Sequence, residues 1–141
     1  AQCLAKFPIS FCLTGGTESI DGTGTGASSQ AHFADHAGEA DQNNKDIFNK
    51  NLTGMALCLP KTIGSTTGGM VLFTVSKMGI GPKAMLFSEP IDSLAAAGVI
   101  LSDVWSDNSI IAVDGLGDEF LNYVQDGMKI DIAEDGTVTV G

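Results

Sequence analysis

No arginine occurs anywhere in these 141 residues. All seven basic residues are lysines, set against seventeen acidic ones for a formal net charge of -10. A surface of that sign repels phosphate backbones, so nucleic-acid binding is disfavoured. A bidentate guanidinium clamp on a carboxylate cannot come from this chain, so backbone donors or a partner must supply that grip. Cysteine is scarce: Cys3, Cys12 and Cys58 are odd in number and show no Cys-x-x-Cys spacing. That pattern fits a reducing cytoplasm and argues against a zinc or iron–sulfur site made by this chain alone. Long apolar runs are missing too. None approaches the roughly 18–20 residues that span a membrane, and no secretory signal is visible. A membrane partner is therefore not expected. The chain opens on Ala1, which leaves room for a start residue or an upstream segment.

What is present is an apolar content of 43%, which excludes a disordered chain. The length suits one domain, residues 1–141, with a real core. Its organising stretch is Leu59 to Gly69, Leu-Pro-Lys-Thr-Ile-Gly-Ser-Thr-Thr-Gly-Gly. The apolar run Met55-Ala-Leu-Cys-Leu59 ahead of it reads as a buried strand, with Cys58 in the core. Met70, Val71, Phe73, Val75 and Met78 behind it lie on a run of three helical turns. Strand, Gly/Ser/Thr loop and helix leave backbone N–H groups pointing out of the helix start, where an anionic group is favoured. Gly64, Gly68 and Gly69 allow a tight turn, and Ser65, Thr66 and Thr67 place three hydroxyls at its apex. Ser65 is the candidate functional hydroxyl. The plainer reading is a loop whose Thr66 or Thr67 merely caps the helix. A nucleotide P-loop is excluded, because no Lys-Ser/Thr follows the glycines in register and Lys61 lies ahead of the turn.

In chain order, two short extended segments are expected near Cys3-Leu-Ala5 and Ile9 to Leu13, separated by Pro8. Thr14 to Gln30, rich in Gly, Ser and Thr, reads as a loop. His32 and His36, four apart with Asp35 and Glu39 nearby, have metal-binding spacing on a helix. No further ligand is evident, the stretch reads as a short solvated helix, and no metal is assigned. Ala84–Phe87 and Ile110–Val113 are further strands. Ile91–Val104, with Asp92 near its positive end, and Asp118–Gln125 are helices. Met128–Ile132 and Thr137–Val140 alternate as a hairpin turned by Glu134-Asp-Gly136. The fold class is α/β: a parallel βαβαβ core with right-handed crossovers, plus strands from both termini making a second sheet or half-barrel. The Ser65 loop then falls at the carboxyl end of a parallel strand, where open α/β sheets bind ligands.

Pro8-Ile-Ser-Phe11 followed by Gly15-Gly16, Gly54 with its apolar strand, Pro60-Lys61, and Gly64-Ser65-Thr66 together resemble the aconitase X small subunit, or swivel domain. Gly81-Pro-Lys-Ala84, Ser88-Glu89 with Asp92, and Ala95-Ala-Ala-Gly98 continue the resemblance. It implies a swivelling β/β/α domain in which Ser65 is the catalytic base. It also implies a large-subunit partner that binds an iron–sulfur cluster through its own cysteines, the cluster iron acting as Lewis acid on the departing hydroxyl. Many members have Gly-Arg-Gly-Ser where this chain has Thr62-Ile63-Gly64-Ser65, which weighs against a phosphorylated substrate. The form with Leu86-Phe-Ser-Glu89 and Ser93-Leu-Ala-Ala-Ala97 looks more like bacterial cis-3-hydroxy-L-proline dehydratases.

The implied function is that of a hydro-lyase small subunit dehydrating a small hydroxy acid, cis-3-hydroxy-L-proline to pyrroline-2-carboxylate. Ser65 would take the proton alpha to the carboxylate. N–H groups of Gly64, Thr66 and Thr67 would stabilise its oxyanion or hold the substrate carboxylate, with Lys61 as cationic neighbour. The alternatives are a mevalonate 5-phosphate dehydratase small subunit and a non-catalytic module that binds small anions.

Overall fold

A computed structural model describes residues 7–9, 12–14, 20–21, 52–63 and 68–141. The centre is a parallel sheet of β2 (Cys12–Thr14), β4 (Ala56–Leu59), β6 (Ala84–Phe87) and β7 (Ile111–Val113), in that spatial order. Helix α1 (Gly68–Lys77) joins β4 to β6, and α2 (Ser93–Trp105) joins β6 to β7. This is the expected βαβαβ core, extended by β2, which pairs in parallel with β4. Each central strand is a four-residue apolar run with every residue buried, as a sheet covered on both faces requires.

Period-two alternation sorts those residues between two cores. Leu57, Leu59, Met85 and Phe87 face one side, with Leu72 of α1 and Val99 of α2 packed on them. Ala56, Cys58, Ala84, Leu86 and Ile111 face the other, against Ile130 and Ile132. The second cluster lies between two sheets, because Ile130 and Ile132 belong to β8 (Ile130–Ile132), the middle strand of β1 (Phe7–Ile9), β8 and β9 (Val138–Val140). Helix α3 (Asp118–Tyr123) adds Phe120 and Leu121 to the same cluster. The layers are helices, parallel sheet, antiparallel sheet. Full burial of Phe87, Leu57 or Leu59 contributes about 1.5–3 kcal/mol per side chain.

The antiparallel sheet fulfils the expectation of added strands from both ends: β1 pairs with β8, and β8 with β9. Its hairpin turns at Gly136, whose φ of 87° is the left-handed conformation that glycine adopts without a Cβ penalty. Two expectations need correction. Pro8 does not separate two strands but lies inside β1, opposite Asp131. A proline is tolerated there because, among the described residues, β1 is an edge strand of its sheet. Ile20–Asp21, within the stretch read as loop, forms β3, which pairs in parallel with β5 (Thr62–Ile63) in the segment also read as loop. Two-residue strands are too short to show a period. The expected segment at Cys3–Ala5 and the His32/His36 pair lie outside the described residues.

The two crossover helices touch without side chains between them. A Cβ placed on Gly69 would sit 2.4 Å from the carbonyl oxygen of Leu94, so only glycine permits this approach of α1 to α2. Among the described residues no helix is long and apolar enough to cross a membrane.

Candidate functional site

At the carboxyl end of the parallel sheet the chain leaves β4 through Pro60 and Lys61, forms β5, and enters α1 at Gly68. Ser65, Gly64, Thr66 and Thr67 fall between β5 and α1 and lie outside the described residues. Their two flanks are described. The strand before them and the helix after them are those expected, with β5 inserted ahead of residue 64. Helix α1 has no acidic residue in its first turn, so no side chain there neutralises the positive end of its dipole.

The entry flank is fastened to the segment that follows β6. The N–H of Ser88 donates to the carbonyl of Leu59 at 3.1 Å, and that of Glu89 to Pro60 at 3.0 Å. Lys61 Nζ lies 3.0 Å from Glu89 Oε2, an ion pair with both side chains about half exposed. The cation expected beside a substrate carboxylate is therefore already partnered by a carboxylate of its own chain. The Thr62 hydroxyl donates to Asp92 Oδ2.

Asp92 is the N-cap of α2. Its Oδ1 accepts from the amides of Leu94 at 2.9 Å and Ala95 at 3.0 Å, satisfying two donors that a helix start leaves open. Partial burial opposes its ionisation and is the largest single effect. The Thr62 hydroxyl and the amides of Ala95 and Leu94 together outweigh it and hold the carboxyl below its ordinary range. Sequence reasoning placed Asp92 at the positive end of a helix, as found; its second role, receiving Thr62, left no mark in either segment alone. Asp114, just past β7, accepts from the N–H of Ile91 at 2.9 Å and steadies the approach to α2.

Ser88, at the end of β6, was noted only as part of a resemblance. It is buried, and among the described residues its Oγ has no hydrogen-bond partner. Among the described residues no group of three or more His, Cys, Asp or Glu could hold a metal ion. Cys58 is fully buried between the two sheets.

A three-layer β/β/α domain with a Gly/Ser/Thr loop between strand and helix at the carboxyl edge of its parallel sheet defines a class, and the comparisons narrow it. The aconitase X swivel domain model matches residues 25–140, and the chain belongs to that family. Relatives named phosphomevalonate dehydratase small subunit occur in Aeropyrum pernix and Pyrococcus furiosus. The first is 32% identical over 64% of this chain and 64% of its own length; the second is 31% identical over 67% and 64%. A Pyrococcus horikoshii relative of the same name is 41% identical over 42% of this chain and 43% of its own length. The matches thus span less than two thirds of these curated relatives. Aconitase X of Thermococcus kodakaraensis superposes with a TM-score of 0.72 at 24% identity, covering 97% of this chain and 91% of that one, and shares its fold. These names do not bear out the expected closeness to cis-3-hydroxy-L-proline dehydratases.

Proposed function

We propose that this chain is the small subunit, or swivel domain, of an aconitase X-type hydro-lyase, and that Ser65 is its catalytic base. The observation that carries the reading is the family match across residues 25–140, which contains the whole strand–loop–helix unit. The names of the relatives favour mevalonate 5-phosphate as substrate. The absence of any arginine favours the second reading, cis-3-hydroxy-L-proline, because a phosphate would then have to be gripped by the partner or by lysine alone.

Both substrates carry a hydroxyl beta to a carboxylate, so the same step serves either. Ser65 Oγ takes the proton from the carbon alpha to the carboxylate, and the electron pair forms the carbon–carbon double bond. The beta C–O bond breaks with its pair on oxygen; that hydroxide takes up a proton to become water, and Ser65 gives its proton back to solvent. A serine is a poor base unless its oxyanion is stabilised. Amides of Gly64, Thr66 and Thr67 ahead of α1 would do that, and one such donor typically contributes about 10²–10³ in rate. The alternative role for those amides is to hold the substrate carboxylate. As the family resemblance implies, an iron–sulfur cluster would belong to the large subunit, and this chain supplies the proton transfer and the holding of anionic oxygen.

The test is to co-express the chain with its large subunit, purify the complex, and assay both substrates. Turnover of one of them, abolished by Ser65→Ala with assembly intact, is the expected result. Near-normal turnover by Ser65→Ala would remove Ser65 from the mechanism. Micromolar binding of a small carboxylate or phosphate by the chain alone, with no turnover in the complex, would favour a non-catalytic anion-binding module.

A further inference from the structure

We infer that Thr62 and Asp92 are positioning residues for Ser65, and that the start of α2 anchors the two described residues, Thr62 and Gly69, that flank segment 64–67. The inference rests on the proposed role of Ser65 and goes beyond it, because it assigns parts to residues that would not touch substrate.

The four residues 64–67 are bounded by two anchors, and both are on α2. Ahead of the loop, the Thr62 hydroxyl donates to Asp92 Oδ2, one residue before α2 begins. Behind it, Gly69 lies against the backbone of Leu94 and Gly98, with its would-be Cβ 2.4 Å from Leu94 O and 3.3 Å from the Gly98 nitrogen. Asp92 cannot swing to follow a moving Thr62, because its other oxygen is held by the amides of Leu94 and Ala95. A hydrogen bond to a charged, pre-oriented acceptor is stronger than a neutral one. The ion pair between Lys61 and Glu89 is exposed and tethers the same segment weakly. Thr62 and Gly69, the described residues on either side of 64–67, are thus both held against one rigid helix start. Proton abstraction by a base is sensitive to sub-ångström placement, so loss of one anchor falls on the chemical step.

Thr62→Val keeps the shape of the side chain and leaves the α2 cap intact while removing the donor. In the complex with the large subunit, assayed on whichever substrate it turns over, Thr62→Val is expected to lower kcat at least tenfold with KM changed less than threefold. Thr62→Ser is expected to restore kcat to within threefold of the parent. The thermal midpoint of the Thr62→Val complex should stay within a few degrees of the parent. As a second route, Asp92→Ser retains a capping oxygen but leaves no second polar atom to face Thr62, and should reproduce the fall in kcat. The inference is overturned if both Thr62→Val and Asp92→Ser keep kcat within twofold while Ser65→Ala is dead. It is also overturned if Thr62→Ser is as impaired as Thr62→Val. Full activity of Ser65→Ala would instead sink the underlying functional reading, and the two failures are thereby told apart.

Discussion

Gly69 and Gly98 meet backbone to backbone where α1 crosses α2: a Cβ on Gly98 would lie 2.5 Å from the carbonyl oxygen of Gly69 and 2.8 Å from its Cα. Nothing in that contact is a flexible side chain that could yield. Gly98→Ala gains up to about 1 kcal/mol in helix propensity but forces the two helices apart, and overpacking of this kind typically costs about 1–3 kcal/mol. A net loss of stability is expected, seen as a lower thermal midpoint by calorimetry. A midpoint equal to or above the parent's would show that the helices separate without penalty.

Ser88 gives the opposite sign. Its buried hydroxyl has no partner among the described residues, and a buried unsatisfied polar group costs about 1–3 kcal/mol. Ser88→Ala removes the group and little volume, so the denaturant midpoint is expected to rise or stay level. A clear drop would mean that the hydroxyl is satisfied in solution.

Acid should weaken the start of α2 selectively. The folded pKa of Asp92 lies below its ordinary value of 3.8, so the protein with Asp92 ionised is favoured above that value. The contribution is lost as pH falls through the lowered folded pKa. Asp135, which accepts from the amide of Thr137 in the β8–β9 turn, is lowered as well and acts in the same direction. Thermal midpoints recorded from pH 6 downward should fall less steeply for Asp92→Asn than for the parent, with the difference confined below about pH 4. Parallel curves would contradict this account of Asp92.

Lys61 should matter little for folding. Its pair with Glu89 is half exposed on both sides, and such pairs are worth about 0–1 kcal/mol. Lys61→Met is expected to leave the urea midpoint nearly unchanged. A loss well beyond that range would indicate a buried role that its exposure does not suggest.

The sequence disclosed those parts of the fold whose signal is local. Ala56–Leu59, Ala84–Phe87 and Ile111–Val113 are compact apolar runs, and Asp92 after Pro90 marks a helix start. Glu134-Asp-Gly136 turns a hairpin as expected, with the amide of Gly136 donating to Ala133. What escaped notice depends on distant partners. Cys12–Thr14 joins the parallel sheet only through β4, and Ile20–Asp21 is a strand only because Thr62–Ile63 lies beside it. The same limit hid the Thr62–Asp92 bond, since neither residue's neighbours announce the other. The strand–loop–helix pattern singled out Ser65, and the family resemblance supplied its expected role as base and the expected partner, which composition and spacing alone could not.

The pairing of Phe7–Ile9 with Ile130–Ile132 ties one of the earliest stretches to one of the latest. During synthesis, β1 must wait, without its neighbour, until residues 130–132 have emerged from the ribosome. The βαβαβ unit can assemble in that interval, because its pairings join strands separated by a single helix, whereas closing so long a loop is slow. Ala56, Cys58 and Leu86 stay without the cover of Ile130 and Ile132 in the meantime, and apolar surface left open in that way invites association with other chains.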